Sequence, residues 1–84
     1  MVRYKWSRGK GNKKYSVEIF IKGNLLKKVS FGDKRYQQYR DSTPLKLYSN
    51  KDHLDKKRRA LYFKRHKKDY GKWSADWFSK KYLW

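Results

Sequence analysis

The 84-residue chain has no cysteine, which excludes disulfides and thiolate metal sites. It has one proline, Pro44, and only seven acidic residues, scattered along the sequence. Asp33, Asp41, Asp52 and Asp55 suit turns and helix caps, and no carboxylate pair, HExxH or Ser-His-Asp pattern offers a hydrolytic centre. No apolar run approaches the roughly 20 residues that span a bilayer. Residues 1–12 lack the apolar stretch of a signal peptide. The reading is a soluble, intracellular protein, or one packaged inside a particle made in a cell.

Positive charge and aromatic rings are abundant. There are 25 Lys and Arg against 7 Asp and Glu, a formal charge of +18, and the apolar complement includes four Trp, eight Tyr and four Phe. A compact chain of this size repels itself at such a charge unless a polyanion or counterions neutralise it. A few large rings bury much area, so a small folded domain over residues 1–84 is expected rather than a disordered basic tail. With so modest a core, a homodimer is plausible, because association would bury more apolar surface.

The pattern along the chain predicts an α+β fold: a small antiparallel hairpin sheet of two or three strands, then a basic helix and a short aromatic C-terminal helix. Residues 1–12 read as an edge strand or a flexible arm, with a turn at Gly9–Asn12. GKGNKK (9–14) places Gly beside Lys, but it lacks the spacing of a phosphate-binding P-loop. Tyr15, Val17, Ile19 and Ile21 alternate with polar residues as a strand does. Gly23-Asn24 predicts a type II′ turn, and Leu25–Phe31 returns. Asp33–Arg40 reads as one or two helical turns broken before Pro44. Ser49 or Asn50 is expected to cap a helix running to about Lys68, with Gly71 as its stop. Leu54, Leu61 and Tyr62 form a narrow stripe on it, and Phe63 projects oppositely, which suggests a second contact with another subunit. Ser74 is expected to cap the last helix, where Phe78 and Tyr82 are an i, i+4 pair. That tail, with Trp73, Trp77 and Trp84, should dock on the sheet or on a partner.

The basic helix is the candidate binding element. Nine Lys or Arg and two Asp lie between Lys51 and Lys68. Lys56, Lys57, Arg58, Arg59, Lys64, Arg65, Lys67 and Lys68 are the candidate phosphate contacts, since each neutralised phosphate releases counterions and gives affinity without sequence choice. The alternative is a solvated helix face. Arg59 could read guanine, but one residue is no code. Tyr4, Trp6 and Tyr15, beside Lys5, Lys13 and Lys14, are the candidate platform for stacked single-stranded bases. Trp77, Phe78 and Tyr82 read as core. His53 and His66 lie 13 residues apart, so on one helix their directions would differ by roughly 140°, and they could not share a metal. No cofactor, metal or catalytic residue is expected.

Three segments carry a family resemblance: FGDKRYQQYRDSTPL, HLDKKRRALYFKRHKKDY and WFSKKYLW. The shared pattern is Phe31-Gly32; Tyr36, Tyr39 and Asp41; Asp55, Arg58, Arg59, Tyr62, Arg65 and His66; and Phe78, Ser79, Leu83 and Trp84. It resembles a family of small basic proteins from giant nucleocytoplasmic large DNA viruses, and is most similar to the small abundant particle proteins of the marseillevirus group. The similarity covers about two-thirds of the chain and leaves out residues 1–12. It implies a virion protein, present in the host cytoplasm (the virus factory) during infection, and makes a dimer plausible. It carries no catalytic assignment. It suggests that Asp41 and Asp55 pair with Arg58 or Arg65. Together these readings lead to a non-enzymatic protein that binds duplex DNA and neutralises or condenses a packaged viral genome. The alternative is a structural virion component that binds acidic partner proteins or an anionic inner membrane.

Overall fold

The computed structural model describes residues 1–84. Three strands, β1 (Val2–Arg8), β2 (Tyr15–Ile21) and β3 (Asn24–Phe31), form an antiparallel meander in that order. Two helices follow, α1 (Lys56–Arg65) and α2 (Ala75–Tyr82), with a single 3-10 turn at Ser49–Lys51. The α+β architecture is the one the residue pattern predicts, and residues 2–8 are a strand of the sheet.

The period-two pattern of β2 turns Tyr15, Val17 and Ile19 to one face, where all three are fully buried. Register places Trp6 beside Val17 and Tyr4 beside Ile19 on one edge, and Phe31 beside Tyr15 and Val29 beside Val17 on the other. These side chains share the face that α2 covers. Phe78 of α2 stacks on Phe31 at 5.4 Å, and Trp6 meets Tyr82 edge-on at 4.8 Å. The core is thus built mainly from rings in offset and T-shaped contacts, the arrangement their quadrupoles favour. The Ser74 hydroxyl accepts from the Trp77 amide at 3.1 Å and caps α2, as expected.

Four local expectations are corrected. Ile21 pairs with Asn24, so the hairpin's central residues are Lys22-Gly23 rather than Gly23-Asn24. Their φ values of 51° and 80° are both positive, as a type I′ turn requires. Asp33–Arg40 forms no helix: the Asp33 carboxylate accepts from the Arg35 amide and guanidinium instead, and Gln38 is drawn inward to full burial. The basic helix begins at Lys56, not near Ser49, because Asp52 is tied to Gln38 and the Asp41 amide and Leu54 takes a φ of 53°. It ends at Arg65, before Lys68 and Gly71.

A buried polar network joins the sheet to residues 38–52. Lys14 is 2 % exposed, and its ammonium donates to the Gln38 amide oxygen. Gln38 donates to the Tyr48 carbonyl at 2.7 Å and to Asp52. The Tyr15 hydroxyl donates to Asp41 and accepts from the Leu47 amide at 2.8 Å. Asp41 also accepts from the Thr43 amide and hydroxyl at 3.0 and 2.6 Å and from the Tyr48 amide at 3.1 Å. Asp41 therefore serves the core and pairs with no arginine.

Candidate nucleic-acid interface

α1 is made of good helix formers with few apolar side chains, and none of its residues is buried. Its start is fixed by Asp55, whose carboxylate accepts from the Lys57 and Arg58 amides at 2.9 and 3.3 Å. Asp55 is a cap, not an ion-pair partner. Contacts from Tyr62, Arg59 and Arg58 tie the helix to the body. Tyr62 stacks on Trp84 at 4.2 Å with a 3° interplanar angle. The Arg59 guanidinium donates to the Trp84 carbonyl at 2.6 Å, and Arg58 donates to the Gln37 side chain at 2.9 Å.

These contacts sort the eight candidate cations. At about 100° per residue, the side opposite Arg58, Arg59 and Tyr62 carries Lys56, Lys57 and Lys64, with small Ala60 between them. Those three lysines are exposed and have no intramolecular partner. Arg58 and Arg65 line one wall of a groove of about 690 Å³ between α1 and the body, with Lys13 opposite and Leu61, Tyr62 and Trp84 as apolar lining. Arg59 lies 5.0 Å over Tyr39 and 5.5 Å over Phe63 as well as bonding Trp84, so it anchors the helix instead of standing free to read a base. Lys67 and Lys68 fall beyond the helix end, and the Lys68 ammonium sits 5.1 Å from the Tyr70 ring. The expected apolar stripe is divided: Tyr62 makes the contact, while Leu61 is half exposed and Leu54 lies outside the helix.

The stacking platform expected at the sheet does not form. Tyr15 is fully buried, Trp6 packs against Phe31, Phe78 and Tyr82, and the Tyr4 hydroxyl accepts from the Trp73 indole at 2.9 Å. The two histidines also separate. His66 follows α1 and stacks on Tyr62 at 4.2 Å. His53 precedes α1 and lies 5.3 Å from Trp84. Burial, with Arg58 nearby, pushes the His53 imidazole below its usual pKa. Its Nδ1 accepts from the Asp55 amide at 2.9 Å, so the neutral ring carries its proton on Nε2.

Across the molecule, six of the seven acidic side chains are committed to structure. Asp41 and Asp52 serve the buried network, Asp55 caps α1, and Asp69 accepts from the Gly71 amide at 2.7 Å. Only Asp33 and Asp76 bind cations, Arg35 and Lys80, each at 2.8 Å. Of 25 Lys and Arg, those two alone reach a carboxylate.

Gln38, central to the network, was not among the candidate residues, and Lys14, which lines the groove, was named only beside the stacking platform and not as a buried network residue. Lys14 is one lysine among many in the sequence, and only its three-dimensional contacts distinguish it. No family model matches the chain, and neither a curated relative nor a solved structure is similar to it.

Proposed function

We propose that the protein binds duplex DNA through its phosphates, without sequence choice and without catalysis. The observation that carries this reading is the uncompensated charge: 25 cations with two ion pairs, and three free lysines on the outward side of a helix that buries nothing. A solvated helix face needs no such excess of one sign, whereas a polyanion rewards it through counterion release. Lys56, Lys57 and Lys64 are the first contacts. Arg58 and Arg65 add charge at the groove, and Lys67 and Lys68 extend the positive stretch past the helix. In the viral setting that the resemblance implies, the protein neutralises or condenses the packaged genome inside the virion.

The test is fluorescence anisotropy with a duplex of scrambled sequence, titrated across salt. Log affinity should fall linearly with log salt, and a slope near −5 corresponds to about six neutralised phosphates. Replacing Lys56, Lys57 and Lys64 by Gln should reduce the slope by about 3 while the fold persists. An unchanged slope would remove α1 from the interface. Weak binding at about 0.1 M salt would overturn the DNA reading itself.

A further inference from the structure

The β2–β3 turn end of the sheet is apolar on both faces. Val2 and Ile21 are register partners on the face that carries the core, and Phe20 and Leu25 are partners on the opposite face. The register shifts after Ile19, which pairs with Lys27 while Phe20 pairs with Leu25, so Leu26 bulges out opposite no residue of β2. Leu25, Leu26 and Val2 are 53 %, 52 % and 41 % exposed. A fold this short of aliphatic residues leaves three of them in water at one tip. Arg3, beside Phe20, together with Lys22 in the turn and Lys27 and Lys28 on β3, rings that tip with cations. Glu18, between Lys5 and Lys28, is the one carboxylate on the sheet.

We propose that this tip docks on an anionic lipid surface, with Leu25, Leu26 and Val2 entering the headgroup–acyl boundary and Arg3, Lys22, Lys27 and Lys28 meeting lipid phosphates. Three observations favour lipid over other occupants. Nucleic acid rewards the cations, but it takes up aliphatic side chains only where they wedge between base steps and kink the duplex, and contact with phosphates leaves Leu25, Leu26 and Val2 without a role. A second copy brings the same cationic ring and the same +18 charge, and five apolar side chains fall far short of the roughly 800 Å² per partner of a stable interface. An anionic membrane matches both features, because interfacial binding combines buried apolar area with attraction to acidic headgroups.

The site is independent of the DNA reading. Antiparallel topology puts the tip at the opposite end of the sheet from the β1–β2 loop, whose Lys13 and Lys14 line the groove beneath α1. A protein bound at both ends would tether DNA to a membrane.

The experiment is flotation of the full chain with vesicles of phosphatidylcholine, alone or mixed with phosphatidylserine, beside anisotropy with duplex DNA. The wild type should float with the mixed vesicles and not with the neutral ones. Leu25→Ser combined with Leu26→Ser should lower partitioning at least about tenfold and leave DNA affinity unchanged. Both residues are half exposed, so the fold survives the change. The chain has no cysteine, so Leu26→Cys can carry a single environment-sensitive fluorophore, whose emission should shift to the blue on the mixed vesicles. Equal binding to both vesicle types, full binding by the double variant, or no shift at position 26 would each overturn the proposal. So would a parallel loss of DNA affinity, which would assign the tip to nucleic acid, or loss of a concentration-dependent dimer with lipid binding intact.

Discussion

Burying an ammonium disfavours its charge unless the surroundings replace water, and at Lys14 the replacement is one neutral acceptor, Gln38. Burial, and then the nearby Lys51 charge, bring its pKa down to about 8 from 10.5, against the opposing pull of Asp41, Asp33 and Asp52. Below about pH 8 the side chain is protonated in both the folded and unfolded states, and it contributes no slope. Between about 8 and 10.5 the unfolded chain holds the extra proton, so stability rises with pH. Tyr15 and Tyr62 act in the opposite sense. Burial, aided by the bond to Asp41 in one case and the Asp76 charge in the other, raises both from 10.0 to about 12. Above pH 10 the unfolded chain releases those protons first, and stability falls. Denaturant midpoints should therefore climb from about pH 8 to 10 in the wild type, and Lys14→Met should flatten that climb. An identical climb in the variant would overturn the assignment to Lys14. Asp41 is the second sensitive residue. Its carboxylate accepts from Tyr15, Thr43 and Tyr48. Asp41→Asn turns one acceptor into a donor among donors and should cost roughly 2–3 kcal/mol in urea unfolding.

A helix of ten residues is marginal in water by itself, so α1 exists because Asp55 caps it and Trp84 holds it. Trp84→Ala removes the ring under Tyr62 while leaving the core residues in place. Hydrogen exchange should then speed up across Lys56–Arg65 and stay slow in β2, whose central position shields its amides. Continued protection of α1 would mean that the cap, the Arg58–Gln37 bond and the contacts of Arg59 with the residue-84 carbonyl and Tyr39 suffice. The same dependence explains how much of the molecule was legible in advance. Alternation in β2 and the Ser74 cap of α2 are local signals, and both elements appear where those signals put them. The start of α1 is decided otherwise. Asp52 looks like a first-turn residue, but it accepts from Gln38 and the Asp41 amide, more than ten positions away, and no local pattern reports that. The turn register was lost for a related reason: Lys22 adopts a positive φ that composition alone assigns to Gly23. At the candidate site, charge was visible at once. Which cations stand free was not, because Arg59 is occupied by the carbonyl of a residue 25 positions on.

For the whole molecule, the excess of positive charge sets the balance. Self-repulsion at +18 opposes the compact state, and two ion pairs do little to offset it. Added salt screens repulsion between exposed charges, over about 10 Å at 0.1 M. The thermal midpoint of the free protein should therefore rise with salt, the reverse of what a fold held by surface ion pairs would show. Duplex DNA stabilises by a different route. On the proposed reading it binds the folded state, and at a hundred times its Kd that would add about 2.7 kcal/mol, or on the order of 10–20 °C for a domain of this size. Salt weakens that binding, because fewer counterions are released as their bulk concentration grows. The two contributions therefore run in opposite directions along one axis. Melting curves with and without DNA should lie far apart at low salt and converge at high salt, the free protein rising to meet the complex. If the free protein instead melted lower as salt increased, attractive pairs would outweigh repulsion, and the uncompensated charge on which the DNA reading rests would not govern the molecule.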